Sequence, residues 1–367
     1  MSGNMFRRGL LAAAAVAALG LAVAPGSASV TPGLSSGKGP APVSIDQLTF
    51  SPDGELFVAD NQGASIYAVD IDRSGDAPKG LKAVPDIGKQ VAAMMGSSGE
   101  VYLTSLAVDP KTGNGYLGAL NTAGGGALFR IDGEGQVKPV ALQTLNYTAI
   151  ALPNAPPLVP GYRATRDTTV TSMAYNDGRL YVAGLSNEEF SSKLRSIPYP
   201  FRAETRGAGI EIFHTSHGQY ETRSPVYTLL PMTFAGRPEL LAAYLCTPLV
   251  RLPVEALKDG AEVRGTTIAE MGRHNRPIDM VRYTKDGADY LLMANSRRGL
   301  LKVPVAAVQS AQAIPETTSI DTHDLGAKRI KDFPIEVDRL ALASPQTFAA
   351  LTRNDKHGVD LQVVALP

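Results

Sequence analysis

Short apolar runs, rich in Val, Ile, Leu and Tyr and stopped by turn signals, recur along this chain. The clearest stretch is residues 48–70, LTFSPDGELFVADNQGASIYAVD. There an apolar strand, a turn, a second strand ending in Asp and a third strand follow one another. Fainter copies are LAVDPKTGNGYLGALNTAGGGALFRID, MAYNDGRLYVAGLSN and MVRYTKDGADYLLMANSRRGLLKVP. The turns Pro52-Asp53-Gly54, Asn176-Asp177-Gly178 and Lys285-Asp286-Gly287 each separate a first strand from a second. Helical periodicity is scarce, so the chain reads as all-β. A unit of this kind cannot bury both its faces alone, and its repetition implies sheets stacked about a common axis.

First strands are expected near Ile45, Thr104, Thr171, Met232, Ile278 and Val337. Third strands are expected in IYAVDID, ALFRID, IEIFHTSHG, LVRLPVEALKDG, LLKVPVAAV and LQVVALP. With a more variable outer fourth strand, each unit makes one blade of a single β-propeller spanning 45–367. Six blades fit, and seven would need a further blade in the Pro-rich stretch 141–167. The last unit ends at its third strand. Within the N-terminal segment 30–44, residues 41–44 are therefore expected to supply the missing outer strand and close the ring. Two segments break the rhythm: a Pro-rich loop at 150–166, and 187–208 between the second and third strands of the third unit. The latter reads as an insertion, either functional or a cover over a blade edge.

Residues 1–29 are expected to be a secretory signal: Arg7 and Arg8 precede an uncharged run, and small residues follow to a cleavage point near Ala28. The run is too short to favour a membrane span, and paired arginines suit the twin-arginine route as well as the general one. A periplasmic or secreted bacterial protein without a membrane span after signal removal is the expectation. Cys246 is the single cysteine, so no intramolecular disulfide can form. Lys plus Arg equals Asp plus Glu at 35 each, and this neutrality argues against a nucleic-acid partner.

The F-S-P-D-G-x-L-F-V-A-D core of residues 50–60 resembles blades of the six-bladed propellers grouped around the NHL, gluconolactonase (regucalcin-like) and strictosidine-synthase-like proteins. Such phrases also occur in seven-bladed YncE-like propellers. The resemblance implies a ligand site at one mouth of the central channel, built from the loops joining second to third strands and from the starts of the first strands. The activities it implies span lactonases, lyases and pure binding proteins. It directs attention to Asp60, Asn121, Asn187, Asn295 and Asn354 at the former positions, and to Asp46, Asp279 and Asp338 at the latter. A divalent metal, calcium or zinc, held by Asp46, Asn121, Asn187, Asn295 and Asp279 is the cofactor it implies; the same residue types also close turns with their own backbones. Two departures stand out. The gluconolactonase pattern opens its first strand with Glu, and the nearest acid here is Asp46. The zinc lyases use three channel histidines, whereas this chain's five His do not repeat at equivalent positions.

Other residues look unlike scaffold. Cys246 stands where other blades place Asp or Asn, and His274 precedes the fifth first strand. Together they could form an activated thiol or a copper or zinc site; a small buried Cys is the alternative. Arg276, Arg297, Arg298 and Arg353 could line a positive mouth, with Asn275 beside them, and Glu188 and Glu189 could act as acid–base carboxylates. His214 and His217 resemble a metal pair, but alignment with the other blades puts them in an outer turn at the opposite mouth. No G-x-S-x-G, P-loop, H-E-x-x-H or C-x-x-C-H motif occurs. The leading expectation is a metal-assisted hydrolase or lyase for a small polar or anionic ligand. His274 would be its acid–base group, with Arg276 and Arg297 holding the anion. The alternatives are a non-catalytic propeller binding a protein, peptide or metal, and a redox or metal-handling protein using Cys246 and His274.

Overall fold

Gly-bearing turns reverse the chain after most first strands, so neighbouring strands pair antiparallel, and in the computed structural model the described strands form six sheets. The structure describes residues 33–367 except 74–79, 97–98, 124, 160–163, 204, 246–247, 273, 317–321 and 356–357. The expected signal and Cys246 therefore lie outside the described residues. Each sheet is one blade, numbered here in chain order. Blade 1 contains Gln47–Phe50, Leu56–Asp60 and Ser65–Val69; blade 2 contains Val101–Val108, Gly115–Asn121, Gly125–Ile131 and Val137–Pro139. Blade 3 contains Ser172–Asn176, Arg179–Leu185, Ser192–Pro198 and Ala208–His214. Blade 4 contains Val226–Phe234, Arg237–Tyr244, Pro248–Pro253 and Thr266–Glu270. Blade 5 contains Pro277–Lys285, Ala288–Asn295, Gly299–Pro304 and the short Lys328–Arg329, and blade 6 contains Val337–Leu342, Thr347–Arg353 and Val359–Ala365.

The six-bladed propeller expected from the repeat is thus present, but the blades do not follow one another around the ring in chain order. The innermost strands neighbour one another in the order 2–1–3–4–5–6, with blade 6 against blade 2. The apolar clusters trace the same ring. Ile45, Leu56 and Val58 pack with Tyr116 and Leu128 across blades 1 and 2, whereas Phe57, Ala59 and Ile66 pack with Leu180, Val182 and Ile197 across blades 1 and 3. The chain leaves blade 1 after its third strand and builds blade 2 on one side. It then returns as Asn146–Ala151, which pairs with Ser65–Val69, and starts blade 3 on the other side. Gly126 belongs to this seam, because a β-carbon there would lie 2.7 Å from the backbone nitrogen of Ile45.

Two expectations are corrected. Residues 41–44 do not close the ring on the last blade. Instead Leu34–Lys38 pairs with Asn146–Ala151 at the outer edge of blade 1. Ring closure falls between blades 2 and 6, where Leu117, Phe129, Ala349, Leu351 and Leu361 pack with Ile87 and Val91 of the helix Ile87–Met95. Val84 bridges Leu361 through two backbone hydrogen bonds of 2.9 Å, covering the edge of a blade that has three strands. Secondly, 187–208 is no insertion. It contains the third strand of blade 3, Ser192–Pro198, and the expected third strand is the fourth, Ala208–His214. The apolar pattern is broken there by Lys193 and Arg195, which are charged yet buried. No helix among the described residues is long and apolar enough to cross a membrane.

Candidate active site at the channel mouth

The second strand of blade 1 ends in Asp60, whose buried carboxylate organises the mouth. Its oxygens accept hydrogen bonds from the N–H of Val43 (2.9 Å), Ser44 (3.0 Å) and Gly63 (2.8 Å) and from the Ser44 hydroxyl (3.0 Å). The following residue, Asn61, donates to the carbonyls of Asp167 (2.7 Å) and Val170 (3.1 Å) and accepts from Val170 N–H (2.9 Å). This pair sets the approach to blade 1's first strand and pins blade 3 beside it.

Asp46 follows directly. One carboxylate oxygen accepts from Asn61 N–H at 2.8 Å and lies 2.5 Å from Ser44 Oγ, whose single proton is shared between Asp46 and Asp60. Asp46 lines a mouth cavity of about 260 Å³ together with Asp167, Tyr227, Arg276, Asp279 and Arg339. Burial pushes Asp46 up to about 6, with its two hydrogen bonds opposing and nearby Asp60 and Asp167 adding to the rise. Asp279 stands in blade 5, opposite blade 1 in the ring. Burial pushes it up to about 6 as well, against the pull of the Arg339 charge and of Leu340 N–H, which donates to it at 2.9 Å. The mouth therefore holds two carboxyls that burial raises well above the ordinary carboxylate range.

Positive charge faces them. Arg276 is exposed, its guanidinium 5.8 Å from the Tyr227 ring centre. Arg339 is anchored to the carbonyls of Thr104 and Asp338. Both also line an adjoining cavity with Arg353, which pairs with Asp338 at 2.7 Å. Arg339 and Asp167 escaped the sequence reading. Arg339 adjoins Asp338, a noted position, but nothing in its local pattern says that it turns inward.

The expected ring of metal donors is not assembled at this mouth. Asn121 and Asn295 are buried and close their own turns, accepting from Ala123 N–H (2.9 Å) and from Arg297 N–H (3.4 Å) and Arg298 N–H (3.3 Å) respectively. Asn354 does likewise for Gly358 N–H at 2.9 Å. Asn187 lies at a separate surface cavity with Glu188 and Arg223. Among the described residues, no three Asp, Glu or His side chains converge at the mouth as a shared cation would require. Asp46 and Asp279 alone of the expected donors share the cavity.

The other expected site residues disperse. His274 is exposed in left-handed backbone (φ 57°) and does not line the mouth cavity. Asn275 is buried, its amide donating to Met271 O at 3.3 Å, and Arg297 is exposed in a turn. Arg298 is engaged by Asp324 at 2.7 Å. Glu188 is removed from acid–base work. Burial opposes its ionisation, but Lys193 (2.9 Å), Arg206 (2.9 Å) and the Ser186 hydroxyl outweigh it and hold the carboxyl at about 2. Its folded-state pKa lies below the ordinary value of 4.5, so its stabilisation is full above that pH and fades as pH falls toward 2. Glu188→Gln is accordingly expected to lower the melting temperature at pH 7 and to converge on the parent near pH 2, as thermal scans across that range would show.

His214 is likewise relocated. As the end of a fourth strand it runs toward the same end as the mouth loops, beside Glu270 of blade 4, which pairs with Pro248 at the start of a third strand.

No protein-family model matches the chain, and no curated protein matches it in sequence. Solved structures similar in fold include an aldose sugar dehydrogenase from Streptomyces coelicolor in its PQQ-bound form, at 13% identity and TM-score 0.32, covering 91% of this chain and 100% of that one. The periplasmic gluconolactonase of Pseudomonas aeruginosa matches at 14% identity and TM-score 0.34, covering 88% and 89%. Virginiamycin B lyase from Staphylococcus aureus matches at 10% identity and TM-score 0.26, covering 91% and 88%. The fold itself rests on the six sheets of this chain: it is a six-bladed β-propeller.

Proposed function

We propose that this protein is an exported propeller enzyme, a hydrolase or lyase. A small anionic substrate is drawn to the mouth by Arg276, Arg339 and Arg353, and Asp46 and Asp279 move the protons. The observation that carries this reading is one cavity shared by two carboxyls near pKa 6 and two arginines. With both carboxyls raised to about 6, one can stand ionised while the other is protonated near that pH, so that one accepts while the other donates. In hydrolysis the ionised member takes a proton from the attacking water, and the protonated member gives one to the leaving oxygen. In elimination the ionised member removes the carbon-bound proton instead. The arginines supply charge-assisted hydrogen bonds to a carboxylate or phosphate. Export rests on the N-terminal sequence. A small ligand rather than a protein is favoured by the modest cavity.

The test is a screen of the mature protein between pH 5 and 8 against carboxylate-bearing lactones and esters and against β-substituted carboxylates. A bell-shaped profile peaking near pH 6 is expected. Arg276→Ala should raise KM about ten-fold or more for anionic substrates, with little change for neutral analogues. Saturable binding of these anions without turnover of any would replace the enzyme with a binding module.

A further inference from the structure

The strand Ala208–His214 and the short strand Gln219–Glu221 form a tight hairpin, with His214 paired to Gln219 and Ile212 to Glu221. Its turn closes through Gly218, whose N–H donates to His214 O at 2.9 Å. The turn gathers three side chains. Glu221 Oε2 lies 3.1 Å from His214 Nδ1, and Glu221 Oε1 lies 2.6 Å from His217 Nδ1. The two imidazole rings are 4.0 Å apart, and one ligand atom from each of the three residues falls within 4.8 Å of the others. No other group of this kind occurs among the described residues.

A second observation points to a ligand. His214 is 1% exposed, and its Nε2 is buried without a partner. Beside it, the fully buried Glu270 uses Oε1 to accept from Thr215 Oγ1 (2.6 Å) and Thr215 N–H (3.2 Å), while its Oε2 has no partner. Buried polar atoms are costly when left unmade, and two of them flank one His–Glu–His cluster.

We infer that His214, His217 and Glu221 bind a divalent cation of the zinc class. Two imidazoles and one carboxylate are a donor set that suits zinc, leaving a further position for water. Soft thiolate is absent from the set and hard oxygen is in the minority, which disfavours calcium. His217 is half exposed and leaves a path from solvent. The cation ties the hairpin across its turn and, through Thr215 and Glu270, fastens blade 3 to blade 4. The site is separate from the channel and does not rest on the reading of the mouth.

The experiment is calorimetric titration of the full mature chain, stripped with EDTA and dialysed, with zinc sulfate, alongside melting curves with and without zinc. One equivalent per chain and a zinc-dependent rise in Tm are expected. His217→Ala should weaken binding at least about ten-fold, since disturbing even an outer partner of a metal ligand costs that much. It should also abolish the Tm rise while leaving the zinc-free Tm within about a degree, the side chain being half exposed. Glu221→Gln should weaken zinc in the same way, and Asp46→Asn at the mouth should not. No uptake at about 100 µM zinc, a level far above what a three-donor site requires, or uptake that both hairpin variants leave intact, would overturn the proposal.

Discussion

Alanine in place of Asp60 is expected to destabilise the protein by about 3 kcal/mol or more, the range for a buried charged acceptor whose donors lose their partner. The side chain is 1% exposed and receives three backbone N–H groups and one hydroxyl, so the substitution orphans several donors together. Charge-assisted bonds of this kind are the strong ones, and water has little room to replace them because Gly63 packs against the carboxylate. Asp60→Asn keeps one acceptor but turns an NH₂ toward a donor, and is expected to recover only part of the loss. Urea unfolding at pH 7 with linear extrapolation measures both. A cost below about 1 kcal/mol, the worth of a single ordinary hydrogen bond, would show that Asp60 is no clamp. The consequence reaches the mouth, since the residues it holds frame Asp46.

Asp46→Asn and Asp279→Asn are each expected to lower kcat about 10²- to 10⁴-fold, the contribution of a positioned general acid or base. Asn is close in shape to the protonated acid and cannot titrate, so each variant should also lose one limb of the bell-shaped pH profile. Stability should move the other way. Both acids are raised from 3.8 to about 6 in the folded protein, so the unfolded chain releases these protons first as pH rises. Folded stability is therefore fullest below about 4 and declines through about 6. The Asn variants escape that decline: their Tm should match the parent near pH 3.5 and exceed it at pH 7. A variant that lost both turnover and Tm at pH 7 would mark a structural carboxylate instead.

Much of the scaffold was legible along the chain. Third strands appeared where expected in five of the six blades, at segments such as IYAVDID, ALFRID and LQVVALP. Observed first strands, such as Gln47–Phe50, Ser172–Asn176, Pro277–Lys285 and Val337–Leu342, begin within a few residues of their expected positions. The exception is instructive. Ser192–Pro198 buries Lys193 against Glu188 and fully buries Arg195, whose guanidinium donates to Pro153 O at 3.4 Å, so a strand that carries two buried charges resembles a polar loop when read alone. The site was legible in half measure. Arg276 and Arg353 line the mouth or its adjoining cavity, and Asp46 and Asp279 line the mouth too, although the sequence marks them as metal donors whose Asn partners lie elsewhere. His274 is exposed away from the cavity, and Glu188 is held by Lys193 and Arg206.

By itself, then, the sequence determined the unit: strand length, turn chemistry and the apolar alternation that makes each sheet half-buried and obliges it to stack. These are local properties, set by propensity and period. Tertiary structure decided the ring order, with blade 2 seated between blades 1 and 6. It also decided the closure through the helix Ile87–Met95 and which polar residues share a cavity. Every blade presents a similar apolar face, so the pattern along the chain cannot tell one neighbour from another. Only side-chain shape at each seam, and the charges that must find partners once buried, distinguish them.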